Sequence, residues 1–186
     1  VRIVNPYANR GVRVLETLTR FDTVTRRMHN KSLSIDNSMT IVGGRNIGDE
    51  YFGTHEGVNF GDIDVLAVGP VAAEVGTQFD LYWNSELAYP IQSLTRNHGD
   101  LDVLRRDLRQ YVAAQRDSVY MQRVRNSDLA REFRAGTLPF QWGDALVFYD
   151  LPEKLVTDPE DRSTHLGPKV MPYTVGSVER DLLIFS

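Results

Sequence analysis

Residues 28–52 read MHNKSLSIDNSMTIVGGRNIGDEYF, and this stretch limits the fold more than any other. Two short runs rich in Leu, Ile, Val and Thr, MHNKSLSID and SMTIV, flank Asp36-Asn37-Ser38, which is the composition of a β-hairpin and its turn. Alternate side chains of a strand share a face, so His29 and Lys31 are expected to point the same way, with Leu33 and Ile35 continuing that face. A row that is polar at its start and apolar afterwards fits a strand whose first residues emerge at a sheet rim while the rest is buried. An imidazole beside an ammonium at such a rim suits an anionic substrate. The pair Gly43-Gly44 lets backbone approach closely, and Asn46 comes just before a helical turn expected over 47–52.

Strand and helix signals alternate around this hairpin. VRIV at residues 1–4 reads as a strand stopped by Asn5-Pro6, and Val12, Leu15 and Leu18 recur at threes, as in a short helix. Arg26 and Arg27 precede the hairpin; the favoured reading is a solvated strand edge, the other a local positive field for a phosphate. A loop over 53–61 leads to the strand IDVLAV, ended by Gly69-Pro70, with Asp62 and Asp64 at its start on one face. Val71, Val75, Phe79 and Tyr82 or Trp83 are spaced as the core stripe of an amphipathic helix over 71–85. Leu101, Leu104, Leu108 and Tyr111 mark a charged-faced helix over 100–117; its Arg105, Arg106 and Arg109 interleave with Asp100, Asp102 and Asp107, as on an ordinary solvated face. Ser127 or Asp128 caps a further helix that Gly136 stops. ALVFYD reads as a buried strand, 157–167 as a polar loop and LLIFS as a closing strand. This order gives a mixed α/β layer fold.

A chain of 186 residues fits one domain, or one half of a two-lobed protein, and can bury a real core. Its net charge of −4 argues against a surface built around nucleic acid. With no cysteine there is no disulfide, zinc-thiolate site or cysteine nucleophile, a composition that fits a reducing compartment. No apolar run approaches the ~20 residues that span a bilayer, and no signal peptide is seen, so membrane contact is expected to be peripheral. The first residue falls inside the strand VRIV and the last ends LLIFS, so the chain is expected to be a piece of a longer protein, one lobe covering 1–186.

H-x-K-x-x-x-x-D followed by G-G-x-N, at His29, Lys31, Asp36, Gly43, Gly44 and Asn46, resembles the signature of the phospholipase D superfamily. The wider run RRMHNKSLSIDNSMTIVGGRNIGDEYFG, with FGDIDVLAVGP and FDLYWNS, is similar to the cardiolipin synthase C branch of bacterial enzymes. The resemblance covers most of the chain and is weakest over 93–136. It implies an α-β-α sandwich, one lobe of a two-lobed enzyme, and a phosphatidyltransferase at the inner face of a bacterial plasma membrane. It implies no metal or cofactor, and no cluster in the sequence has metal-ligand spacing.

The resemblance makes His29 the nucleophile on a phosphodiester phosphorus, forming a phosphohistidine. One ring nitrogen must then be unprotonated, with the other held toward an acceptor. Asp62 is the candidate acceptor, Asp64 the reserve; a strand-start cap or surface charge is the structural alternative for both. Lys31 carries over as the cation on the equatorial oxygens and Asn46 as an amide donor to them. Asp36 is expected to be structural, fixing the turn through an Asx-type bond, with Gly43 and Gly44 shaping the backbone. His55, His98 and His165 have no lysine two residues on and read as loop histidines.

Such a site needs two facing motifs, the second histidine acting as general acid for the leaving alcohol, and this chain has one. The expected partner is a missing second lobe, which LLIFS would open, or a second copy across a two-fold axis. Phospholipids at a membrane surface are the expected substrates. A lipid or nucleic-acid phosphodiesterase of the same superfamily, or a non-catalytic half-module, are the competing readings; the acidic balance speaks against nucleic acid.

Overall fold

The computed structural model describes residues 1–6, 26, 28–53, 57–95, 99–158 and 160–177. The helix expected around Val12, Leu15 and Leu18, Arg27, His55, His98 and the strand LLIFS lie outside the described residues. The elements in chain order are β1 (Arg2–Val4), β2 (Ser32–Ile35), β3 (Met39–Gly43), a 3₁₀ turn (Asp49–Tyr51), β4 (Asp64–Val68), α1 (Pro70–Trp83), β5 (Ala88–Pro90), α2 (Ile91–Leu94), α3 (Leu101–Gln115), α4 (Val119–Asn126), α5 (Asp128–Ala135), a second 3₁₀ turn (Pro152–Leu155) and α6 (Gly167–Ser177). The fold is mixed α/β, and the chain divides into two compact units: Val1–Gly44, Asp64–Leu94 and Ala145–Ser186 in the first, Arg45–Ile63 and Thr95–Asp144 in the second.

In the first unit the hairpin forms where the sequence places it. β2 pairs antiparallel with β3 from Ser32↔Val42 to Ile35↔Met39, and β4 adds to the far side of β3 from Met39↔Val68 to Gly43↔Asp64. Asp36 and Asn37 take φ of 50° and 51°, and the Ser38 N–H donates to the Ile35 carbonyl at 3.0 Å. Left-handed φ at both central residues is the type I′ pattern, whose twist matches the strands, and Asp and Asn tolerate it better than other residues. A second, two-stranded sheet pairs β1 with β5.

The apolar face of β2 that was expected to be buried is exposed. Leu33 is 60% and Ile35 48% exposed, whereas Thr40 is 1% exposed and its hydroxyl bonds Ser34 at 2.9 Å. Helix α1 packs on the sheet, and Thr40, whose hydroxyl is satisfied by Ser34, is its buried position; every residue of β2, Ser34 included, is exposed. Helix α1 opens with Gly69 at φ 88° and Pro70 in its first turn, where the missing N–H costs nothing. It buries Ala72, Val75, Gly76, Gln78 and Tyr82. Phe79 and Trp83, expected in that stripe, stay partly exposed and stack on each other with ring centroids 5.6 Å apart. Gly76 takes the close approach: a Cβ there would overlap the Asn37 side chain at the hairpin tip.

ALVFYD is not a strand. Residues 137–150 carry no regular structure, although Asp150 is 3% exposed. The rung that a neighbouring strand would supply comes from a side chain instead: Asn30 Nδ2 donates to the Asp150 carbonyl at 3.0 Å, and the Asp150 N–H donates to Asn30 Oδ1 at 3.1 Å. Beyond it lie Pro152–Leu155, with Leu155 fully buried, a polar loop, and α6, which the sequence reading did not anticipate because Pro172 sits inside it.

The second unit is built from α3, α4 and α5, and none of its described residues is buried. Local chemistry defines its helices. Asp100 Oδ1 accepts from the Asp102 and Val103 N–H groups at 2.8 and 3.3 Å, Ser118 caps α4 and Ser127 caps α5. Gly136, at φ 67°, ends α5, with the Thr137 N–H on the Glu132 carbonyl at 2.9 Å. The helices over 100–117 and 127–135 stand as expected; α4 between them is an addition.

Candidate functional site

His29 and Lys31 precede β2 rather than lie within it, on a segment that continues the ladder through the Gly43 N–H to the Lys31 carbonyl at 3.4 Å. Met28, Asn30 and Ser32 line a cavity of about 180 Å³ with Tyr82 and Ala88, and the alternation leaves His29 and Lys31 on the other side of the segment. His29 is exposed, and its ring has no hydrogen-bond partner among the described residues. Lys31 Nζ donates to the His29 carbonyl at 3.1 Å, which brings an ammonium beside the imidazole-bearing residue.

The support beneath this segment is polar and buried. The Asp150 carboxylate holds Lys154 Nζ at 2.5 Å and accepts from the Leu166 N–H at 2.7 Å. Arg26, read as a solvated edge or a phosphate field, does neither: its guanidinium is half-buried and donates to the carbonyls of Lys154, at 3.5 Å, and Thr157. Tyr82 lies under the same cluster with a buried hydroxyl that has no hydrogen-bond partner among the described residues. Burial, then the negative charges of Asp150 and Glu153, push its phenol well above the usual range.

Asp36 serves the turn through its backbone conformation rather than the expected Asx-type bond. Its side chain makes no hydrogen bond among the described residues, and Ser38 Oγ donates to its carbonyl at 3.0 Å. Gly43 faces Asp64 across β3 and β4, so the reserve acid stands at the strand start in the same unit as His29.

Asn46 and Asp62 belong to the second unit. Asn46 Nδ2 donates to the Tyr51 hydroxyl at 2.8 Å, and the exposed side chain stands just ahead of the Asp49–Tyr51 turn. Asp62 Oδ1 accepts from the next residue's N–H, Ile63, at 2.8 Å, the kind of contact its structural alternative expects. Arg45, which the sequence reading passed over inside G-G-R-N, ties this segment together: it donates to the carbonyls of Tyr51 and, at 3.2 Å, Asp62, with its guanidinium 5.6 Å over the Phe52 ring. An open groove of about 1410 Å³ begins at Ile47 and is lined also by Phe52, Tyr111, Met121 and Arg123. His165, read as a loop histidine, is half-buried in the turns before α6, its N–H on the Arg162 carbonyl at 3.0 Å.

Among the described residues no helix is long and apolar enough to cross a membrane, and no cluster of His, Cys, Asp or Glu could hold a metal ion. No protein-family model matches the chain, and no solved structure does. Among curated proteins, cardiolipin synthase C of Escherichia coli (strain K12) is 36% identical over 161 residues, 83% of this chain and 33% of that protein. Two uncharacterized proteins of Helicobacter pylori, from strains J99 and 26695, are each 34% identical over 164 residues, 84% of this chain and 32% of theirs. The chain therefore spans about a third of the length of the curated relatives it matches, one of which is a cardiolipin synthase.

Proposed function

We propose that this chain is one lobe of a phospholipase D-type phosphatidyltransferase that builds cardiolipin, with an α-β-α sandwich completed by elements outside the described residues. The observation that carries the reading is the similarity to cardiolipin synthase C across 83% of the chain; His29, Lys31 and Asn46 are assigned from the motif in the sequence. The neutral His29 imidazole attacks the phosphorus of a donor phospholipid, and the alcohol leaves with a proton supplied by a second histidine. Lys31 and Asn46 stabilise the charge that gathers on the equatorial oxygens. Asp62, with Asp64 as the reserve, orients the ring. The second histidine comes from another lobe or another copy of the chain.

The phosphohistidine is then opened by the hydroxyl of an acceptor lipid such as phosphatidylglycerol. Water competes for the same phosphorus, and the oxygen that reaches it in line decides between synthase and hydrolase. The enzyme works at the inner face of the plasma membrane; among the described residues no helix is long and apolar enough to cross it. Labelled donor lipid in mixed micelles, with and without phosphatidylglycerol, tests this: cardiolipin is the expected product at saturating acceptor. Phosphatidic acid dominating there would make the enzyme a hydrolase.

A further inference from the structure

We propose that Asn30 and Asp150 form a positioning latch that fixes the backbone between His29 and Lys31, an inference that rests on the phosphatidyl-transfer reading above. Asn30 is the residue between the two proposed functional side chains. Its amide exchanges two hydrogen bonds with the Asp150 backbone, Nδ2 to the carbonyl at 3.0 Å and the N–H to Oδ1 at 3.1 Å. Asparagine offers a donor and an acceptor side by side on a short stem; aspartate lacks the donor and serine has a single oxygen. The pair reproduces one rung of a β ladder across 120 residues of sequence.

The receiving end is rigid. Asp150 is 3% exposed, and its carboxylate is held by Lys154 at 2.5 Å and the Leu166 N–H at 2.7 Å, so its backbone and side-chain polar atoms are all partnered. The adjoining Leu151 N–H bonds the Thr164 carbonyl at 2.9 Å. A second tether sits four residues before Asn30, where Arg26 donates to the carbonyls of Lys154 and Thr157. The segment is thus gripped at two points by one stretch of chain, while His29 itself stays exposed and its ring has no partner among the described residues. The held backbone sets where the His29 ring is presented, before any carboxylate orients it, and Lys31 moves with it through the 3.1 Å bond to the His29 carbonyl.

The test compares backbone amide order parameters in the ¹⁵N-labelled chain before and after Asn30→Ala, with kinetics in the donor-lipid assay on the enzyme completed by its second histidine. In the parent, the His29 and Lys31 amides should lie near about 0.85; in the variant they should fall below about 0.6 while those of α1 are unchanged. Turnover should drop about 10²-fold with KM nearly constant, since the latch aims the nucleophile and does not hold substrate. Unchanged order at His29 and Lys31, with the Asp150 amide now exchanging freely, would overturn the proposal. Asn30→Asp, which keeps the acceptor and loses the donor, carries the same comparison if the alanine variant does not fold: the same loss of order supports the latch and its absence overturns it. No turnover by that two-histidine enzyme would fail the functional reading alone, leaving the order parameters to decide the latch.

Discussion

The Tyr82 hydroxyl is buried without a hydrogen-bond partner among the described residues, beside the negative charges of Asp150 and Glu153. Leaving such a group unsatisfied costs about 1–3 kcal/mol, so Tyr82→Phe should raise stability by roughly 1 kcal/mol at neutral pH. The variant should also change the alkaline limb. Burial raises the folded phenol above its unfolded value of about 10, so the neutral phenol's contribution is complete below that pH and is lost as pH rises from there toward the folded value. Tyr82→Phe should flatten that loss, measured by urea unfolding between pH 8 and 11. The opposite sign applies at Lys154, whose ammonium compensates a carboxylate 3% exposed. Lys154→Met should cost about 3 kcal/mol in the same titration, because the charge it leaves behind remains buried.

The elements were legible where their chemistry is local. Asp36-Asn37-Ser38 announced the hairpin turn, Asp100 and Ser127 announced helix starts and Gly136 a stop, and each stands where expected. At the tip, Asn37→Val should cost about 1–2 kcal/mol, since a β-branched residue resists φ 51°, while Asn37→Gly should be near neutral; thermal unfolding separates the two. Leu155, fully buried in its 3₁₀ turn, should lose about 2–5 kcal/mol on Leu155→Ala by the same measurement. What the sequence hid was set by partners far along the chain. What the sheet buries depends on α1, so the apolar Leu33 and Ile35 misled: all of β2 is exposed, and the buried position is Thr40 on β3. ALVFYD carried a strand's composition, but its buried end is paired by one side chain from residue 30. Asn30 looked like a spacer between two motif residues, and Arg45 like one between Gly44 and Asn46; nothing local marks either as a fastener.

For the whole molecule, the stretch with His29, Lys31 and Asn46 was readable as a pattern, and 83% of the chain is similar to cardiolipin synthase C. Its completion was not readable, because a single histidine motif specifies neither the group that protonates the leaving alcohol nor where it resides. The 186-residue chain alone should therefore turn over phospholipid negligibly as a monomer, with its state checked by sedimentation in the assay buffer. A rate rising with the square of concentration would mark pairing of two copies; robust monomeric turnover would contradict the two-histidine account. The central claim is the covalent step at His29. Rapid quench of the active enzyme with donor lipid, followed by peptide mass spectrometry under alkaline conditions that preserve phosphohistidine, should find the phosphatidyl group on the His29 peptide, and His29→Ala should abolish adduct and product together. Product formation that persists in His29→Ala, or an adduct carried on a different residue, would contradict it.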